Sequence, residues 1–204
     1  MRITAEEKKL TRQRILDAAV DLFRTHGYES TTTRNIADAA EIATGTLFNY
    51  FPTKEAIIAV LAEDALSKAH AAFNGKEFEG KLAEQLFAHV VAELRHLKPL
   101  RKFITPVLET SLSPLIASER SETNDSLRVD HLATVAEIAR KHGVAELSPV
   151  ALQVYWSLYI GVLAFWAADR SPKQEDTLAL LDQSLAMFVG WLTNQSDEPL
   201  AESA

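Results

Sequence analysis

Residues 31–55 limit the possible fold more than any other stretch, because they predict two short helices joined by a tight turn. Thr32 can cap the first helix by accepting a hydrogen bond from the backbone N–H of Asn35. Residues 40–42 form the turn, and Pro52 ends the second helix. This arrangement is typical of a helix-turn-helix, whose second helix reads the major groove of DNA.

The second helix, expected over residues 44–50, presents a small polar face without a carboxylate. Thr44, Thr46 and Asn49 project outward, and Gly45 lets the helix N-terminus approach a phosphate closely. Asn49 is the best candidate for base reading, because its amide can donate and accept hydrogen bonds at adenine. The threonine methyl groups suit thymine, so we expect a half-site rich in A and T.

The same stretch resembles the DNA-binding signature of the TetR family of transcriptional regulators. The matching residues, at unbroken spacing, are Thr31, Thr32, Arg34, Ile36, Ala37, Gly45, Thr46, Leu47, Tyr50, Phe51, Pro52, Lys54 and Glu55. Further matches between Ile15 and Tyr28 extend the resemblance over roughly the first quarter of the chain. The resemblance implies that Tyr50 and Lys54 bind phosphates. The predicted DNA contacts are then Thr32, Thr33, Arg34, Thr44, Gly45, Thr46, Asn49, Tyr50 and Lys54.

Three departures from the family pattern affect this predicted DNA-binding surface. Glu41 stands where the family usually has a Gly in a left-handed turn, and Ala43 replaces the usual Ser cap. Asn49 and Thr44 stand where a His and a Lys are common, which leaves the second helix uncharged. We interpret these differences as an altered base preference. A weakly binding domain is the alternative.

The net charge of -7 is unevenly distributed, which keeps the chain compatible with DNA binding. Residues 1–55 contain eight Lys or Arg and eight Asp or Glu, whereas residues 56–204 contain 13 and 20. The whole excess of negative charge therefore lies in the second part. Cations near the start of the chain, with Arg34 and Lys54, can meet phosphates, so DNA binding should depend steeply on salt.

Composition and patterning indicate an all-α fold of about nine helices in a cytoplasmic protein. The 204-residue chain has no Cys, which excludes disulfides, and its N-terminus lacks the apolar region of a secretory signal. Apolar residues recur with helical spacing, and strand patterns are absent. We expect a three-helix, helix-turn-helix DNA-binding domain over residues 1–53, a helical-bundle body for ligand binding and dimerisation over 54–195, and a disordered tail over 196–204.

The helix expected after Pro149 is uncharged up to Ala168, so it is either a membrane span or a helix buried on several sides. Gln153 and Ser157 interrupt it, and an amphipathic helix follows directly. These features favour a buried helix and no membrane partner.

The final helix, expected over residues 172–194, carries apolar residues at the alternating spacing of three and four that is typical of a bundle seam. Paired with the preceding helix, this seam predicts a homodimer, as the family resemblance also implies. A palindromic operator requires such a dimer. An intramolecular core is the alternative. The predicted interface residues are Trp166, Leu178, Leu181, Leu185, Phe188 and Leu192.

The body is predicted to hold a pocket for a small, mostly apolar ligand. Its candidate residues supply aromatic walls and a few polar groups, and they are Phe73, His89, Phe103, Glu109, Tyr155, Trp156 and Tyr159. By resemblance, ligand binding would move the helix that begins at Lys54, change the separation of the two DNA-binding domains and lower operator affinity.

His89, Glu93 and His96 share one helical face, and the Glu-x-x-His spacing within it is used by di-metal bundles. Such bundles need two of these elements and further carboxylates. The sequence therefore predicts a solvated or hydrogen-bonded face, with no metal and no cofactor. Catalytic motifs are absent, so an enzyme is not expected.

The predicted function is that of a DNA-binding transcriptional regulator, a repressor released from a palindromic operator in double-stranded DNA by a small-molecule effector. Activation in place of repression stays open. The alternative is a helical small-molecule-binding or enzymatic bundle without DNA binding.

Overall fold

The computed structural model describes residues 4–74, 80–105, 108 and 122–196. This part of the chain contains eight α-helices and no strand, which confirms the all-α fold and lies close to the nine helices expected. The helices are α1 (Ala5–His26), α2 (Thr33–Ala39), α3 (Thr44–Phe48), α4 (Lys54–Asn74), α5 (Leu82–Leu97), α6 (Glu122–Lys141), α7 (Pro149–Ala168) and α8 (Glu175–Ser196).

Local signals set the boundaries of the N-terminal helices. Thr4 and Glu7 form a reciprocal capping box at the start of α1, and Gly27 ends that helix with a positive φ of 83°. The three helices α1 to α3 then bury a shared apolar core. Its fully buried members are Ile15, Ala19, Ile36, Ala37 and Leu47.

Helix α4 connects the three N-terminal helices, which are predicted to bind DNA, to the remaining helices of the body. It packs against α1 at one end and against α5 and α6 further along. In the body, α5 also contacts α8, and α7 and α8 pack side by side. Leu86, Val90 and Leu94 of α5 are buried at this junction, so α5 is the central helix of the bundle.

A 3₁₀ segment, Lys98–Phe103, follows α5 directly. Pro99 lies in the first turn of this segment, where the missing N–H of proline costs no hydrogen bond. Helix α6 begins at Glu122. Of the predicted tail, residues 197–204 lie outside the described residues.

Four of the predicted dimer-interface residues lie in the core of a single chain. Trp166 is fully buried and donates from Nε1 to the side-chain oxygen of Gln174 at 3.0 Å. Leu181, Leu185 and Phe188 are also buried within the chain, because the apolar stripe of α8 faces its neighbours in the bundle. Their burial within one chain agrees with the intramolecular alternative at these four positions, and the assignment of the six residues to a subunit interface stays a prediction. The other two, Leu178 and Leu192, are half-buried.

Within the described part of the chain, α7 is the helix that is long and apolar enough to cross a membrane, by length and composition alone. Ser148 caps it by accepting from the N–H of Ala151 at 3.1 Å, and Pro149 occupies its first turn. Tyr155 and Tyr159 of α7 are buried against the bundle. Helix α7 therefore packs as a core helix of the bundle, with one face exposed to solvent in the single chain.

Candidate functional site: DNA interface and buried polar centre

The helix-turn-helix is held by a capping box and a left-handed turn. The Thr32 hydroxyl accepts from the N–H of Asn35 at 3.1 Å, and the Asn35 side chain accepts from the N–H of Thr32 at 2.9 Å. Glu41 has a φ of 55°, the left-handed conformation that the sequence comparison implied. The N–H of Ile42 reaches the carbonyl of Ala37 at 3.0 Å, which closes the end of α2 as in a Schellman motif.

Replacing Glu41 by Gly is expected to raise the free energy of unfolding by up to about 1 kcal/mol. The left-handed conformation costs a non-Gly residue about 1–2 kcal/mol, and Gly removes this cost. Gly also gives the unfolded chain more conformational entropy, which offsets about 0.5–1 kcal/mol of the gain in stability. Urea denaturation of the full-length protein measures the change. Glu41→Ala keeps the strain and is the matched control, so equal stabilisation by both variants would contradict this explanation.

The exposed face of α3 carries most of the predicted base-reading residues. Asn49 follows the helix and is exposed, as is Arg34 on α2, whereas Thr44 and Thr46 are half-buried. Helix α3 is two residues shorter than predicted, and Ala43 makes no side-chain cap, as its residue type implies. The sequence analysis missed Phe48, which is 48% exposed and lies one helical turn after Thr44 on the same face. An exposed aromatic ring there suits contact with a thymine methyl group.

Lys54 has protein partners in the structure. Its Nζ donates to the carbonyl oxygens of Tyr28 at 2.8 Å and Thr31 at 3.0 Å, and it lies 3.9 Å from the centroid of the Tyr28 ring. The Tyr28 hydroxyl in turn donates to Glu55. The start of α4 is thus tied to the connection between α1 and α2. The Tyr50 ring is half-buried against the same core.

Replacing Lys54 by Met is expected to lower the free energy of unfolding by about 1–2 kcal/mol, because two charge-assisted hydrogen bonds are lost at a half-buried site. The slope of log affinity against log salt should change by much less than the roughly one unit of a lost phosphate contact. Arg34→Met, at an exposed cation, is the control and should change the slope without changing stability. If Lys54→Met reduces the slope of log affinity against log salt by a full unit, Lys54 does contact a phosphate, as the family resemblance implies.

A second polar centre lies inside the body, where α4, α5 and α6 meet. His70 of α4, His89 and Glu93 of α5 and His131 of α6 gather there. The Nε2 atom of His70 and the Nδ1 atom of His131 each lie 2.8 Å from Glu93 Oε1, and His89 Nε2 lies 3.5 Å from it. His89, Glu93 and His131 are buried, and His70 is half-buried. We call these four side chains the His–Glu cluster.

Aromatic rings surround the His–Glu cluster. The His131 ring stacks on the Tyr159 ring with centroids 4.0 Å apart. The Tyr155 ring also stacks with the His131 ring, at a centroid distance of 5.6 Å. The Phe73 and His89 rings are 5.1 Å apart, and Trp156 approaches His131 edge-on at 6.0 Å. Burial raises the pKa of both tyrosines well above its usual value, and the Glu93 carboxylate raises it further. Both phenols are therefore neutral.

Burial and charge act in opposite directions within the cluster. Burial lowers the pKa of His89 to about 4, outweighing the attraction of the Glu93 carboxylate. Burial alone would raise the pKa of Glu93, but the imidazoles of His131 and His89 and the hydrogen bonds from His131 and His70 hold it below its usual value. The centre therefore contains an ionised carboxylate beside a neutral imidazole, in which one ring nitrogen offers a lone pair and the other carries the proton.

Five of the seven predicted ligand-site residues meet at this centre. They are Phe73, His89, Tyr155, Trp156 and Tyr159. Phe103 lies away from this centre, and the centroid of its ring is 5.2 Å from that of Phe23 on α1. Glu109 is outside the described residues. His96, predicted on the same face, bonds through Nδ1 to the Ala92 carbonyl at 2.9 Å and stays out of the cluster.

The sequence analysis missed His70 and His131. The sequence does contain a signal for the burial of His131. It lies four residues before Val135 and seven before Ile138, so the three side chains share one helical face, and both apolar residues are buried. Beside the cluster, a cleft of about 510 Å³ opens between α1, α4 and α6, and His70 lines it. His70 therefore joins the buried centre to the surface.

Residues 15–61 match the family model described as bacterial regulatory proteins, tetR family. The HTH-type transcriptional regulator YvkB of Bacillus subtilis is 30% identical over 190 residues, which cover 88% of this chain and 95% of that protein. The chain belongs to the TetR family of transcriptional regulators. It is a DNA-binding regulator and not an enzyme, as predicted.

Two further TetR-like proteins agree with this assignment. The HTH-type transcriptional repressor KstR of Mycobacterium tuberculosis is 23% identical over 186 residues, covering 91% of this chain and 84% of that one. The structure of Thermus thermophilus FadR, a TetR-family repressor solved with lauroyl-CoA, matches with a TM-score of 0.64 at 22% identity, covering 87% and 93% of the two chains. At this identity the structural match shows the fold alone.

Proposed function

We propose that this regulator is a homodimeric, cytoplasmic repressor that binds a palindromic operator through α3 and leaves it when a small-molecule effector binds in the body. One observation carries the proposal: α4 is a single helix from Lys54, which is bonded to the connection between α1 and α2, to His70 and Phe73 at the buried centre. Any effector that shifts α4 in the body also shifts the DNA-binding domain.

Base reading falls to Asn49, with Phe48, Thr44 and Arg34 beside it. Asn49→Ala is expected to cost about 1–3 kcal/mol of operator affinity at one base position and to relax specificity there. Competition binding with operators changed one base pair at a time measures this. An equal loss on every sequence would instead mean that Asn49 contacts only the backbone.

The dimer forms through the open faces of α7 and α8. Among the described residues, these two helices expose Val154 and Phe165 on α7 and Leu180 and Met187 on α8, next to small residues such as Gly161. Gly161 has nothing within 4 Å of the position of a Cβ, so a second helix can approach closely there. A second copy of the same pair completes a four-helix bundle, and the two DNA-binding domains then meet two half-sites.

The effector site is assigned to the aromatic surroundings of the His–Glu cluster, with Phe73, Tyr155, Trp156 and Tyr159 as the apolar walls. These rings fit a small ligand that is largely apolar and has a polar end directed at the cluster. A thermal-shift screen of metabolites, followed by loss of operator binding, identifies it, because a ligand selective for the native state raises apparent stability.

Footprinting on DNA upstream of the regulator's own gene tests the proposal as a whole. Protection of a palindrome that weakens steeply with salt supports it. Absence of protection at low salt would favour a helical ligand-binding bundle without DNA binding.

A further inference from the structure

We propose that His70, His89, Glu93 and His131 form a binding site for one divalent transition-metal ion, with Zn²⁺ as the probe. The ligand atoms that these side chains offer all lie within 4.8 Å of one another. In a tetrahedral zinc site with bonds of about 2.0–2.1 Å, neighbouring ligand atoms are about 3.3 Å apart. Small side-chain adjustments therefore bring four ligands around one ion.

The hydrogen bonds within the cluster do not satisfy its polar atoms. His70 and His131 both point at a single oxygen, Glu93 Oε1. Both ring nitrogens of His89, Oε2 of Glu93 and Nε2 of His131 have no hydrogen-bond partner, and the hydroxyls of Tyr155 and Tyr159 beside them have none either. Buried polar atoms normally have partners, so six orphans in one place indicate a missing binding partner.

The donor set selects the class of ion. Three imidazoles and one carboxylate suit Zn²⁺ and its first-row neighbours, whereas Ca²⁺ and Mg²⁺ prefer oxygen ligands. A divalent ion would also give the carboxyl group of Glu93, which is 0% exposed, a partner of opposite charge. The tyrosine hydroxyls can hydrogen-bond to a bound carboxylate oxygen or to a water on the ion.

An entry path is present. His70 has 15% of its side chain exposed and lines the open cleft, together with the carboxylates of Glu63, Asp64 and Asp130. Arg12 also lines the cleft, and Lys68 pairs with Asp64 at 2.6 Å. Among the described residues, the other two carboxylates, Glu63 and Asp130, have no cation partner, so they can attract a metal ion to the mouth of the cleft. Rotation of His70 then passes the ion to the three buried ligands. Residue spacing along one helical face cannot predict this site, because its ligands come from three helices.

The regulatory role of this ion rests on the proposed function, in which a shift of α4 changes operator binding. His70 is the only ligand from α4, while the other three come from α5 and α6. Binding therefore fixes the distance between α4 and the rest of the body, and α4 positions the DNA-binding domain. We expect the ion to change operator affinity, either alone or as the polar anchor of an organic effector.

The test uses full-length protein stripped of metal with a chelator. Calorimetric titration with Zn²⁺ should show one ion per chain, and Co²⁺ should give the intense visible absorption of a four-coordinate site without a thiolate band. His131→Asn and Glu93→Gln should each weaken binding at least about 100-fold, since loss of an outer-shell partner alone costs about 10–100-fold. His96 lies on α5, as Glu93 does, but outside the cluster. His96→Asn should therefore bind Zn²⁺ as tightly as the unchanged protein does.

Far-UV circular dichroism shows whether each variant folds. If the two buried variants fail to fold, His70→Gln at the edge of the cluster serves instead and should also weaken binding. The site is overturned if the unchanged protein shows no saturable one-to-one binding, or if His96→Asn weakens it as much as the cluster variants do.

Operator binding is measured on the same samples and separates the two ideas. One-to-one binding of Zn²⁺ with unchanged operator affinity overturns the regulatory role of the ion. Absence of operator binding at low salt with intact metal binding overturns the proposed function and leaves the metal site supported.

Discussion

Replacing Leu47 by Ala lowers the free energy of unfolding of the DNA-binding domain by about 2–5 kcal/mol and abolishes operator binding. Leu47 is fully buried, and it is the one residue of α3 that is buried in the core shared with α1 and α2. Truncation leaves a cavity where a small three-helix domain has little other apolar contact to hold α3 in place. Without α3 in position, the base-reading residues have no defined geometry.

The chain offers a spectroscopic way to locate this effect. All three tryptophans, at positions 156, 166 and 191, lie in the body. In urea, the far-UV circular dichroism of Leu47→Ala should therefore begin to change at a lower concentration, while the tryptophan fluorescence transition stays where it was.

Phe48→Ala is the matched control, because Phe48 is the adjacent residue of the same helix and is half exposed. It should leave the urea transitions within about 0.5 kcal/mol and still weaken operator binding. A similar loss of stability in both variants would mean that Phe48 has a packing role and not a DNA-contact role.

Replacing Phe165 by Glu is expected to convert the proposed dimer to a monomer of 22.6 kDa and to weaken operator binding at least about 100-fold. The Phe165 ring is 43% exposed in the single chain, so the substitution spares the monomer fold. In the proposed four-helix bundle, however, it buries two unpaired carboxylates. Size-exclusion chromatography with light scattering measures the mass.

Val129→Glu is the control for the dimer face. Val129 is 63% exposed and lies on α6, which is not one of the two helices proposed to form the interface. This variant should remain dimeric and bind the operator normally. If Val129→Glu dissociates the dimer and Phe165→Glu does not, the interface lies on α6 and the proposed face is wrong.

The DNA-binding domain was predictable because its signals are local. Thr4 with Glu7 and Thr32 with Asn35 lie three residues apart, and each pair caps its helix as the spacing predicts. The positive φ of Glu41 agrees with what the resemblance implied, since the family usually has a Gly at this turn position. Such features depend on hydrogen bonds between near neighbours, so distant packing does not change them.

The buried centre was only partly predictable because it is assembled from separate helices. His70 and His131 are 61 residues apart in sequence and meet only when α4 and α6 pack on α5. Spacing alone could not locate a dimer face, for a related reason. Heptad-like spacing in α8 correctly predicted one apolar stripe, but it could not tell whether Leu181 and Leu185 face α5 or a second subunit.

Helix α4 has 21 residues and is therefore about 31 Å long. If it pivots as a stiff rod near His70, a rotation of only about 6° displaces its first turn by about 2–3 Å. That displacement is doubled across a two-fold axis, since both copies turn together. Successive major grooves along one face of a duplex recur at about 34 Å, so an error of roughly 5 Å in the separation of two reading helices removes one of them from its groove.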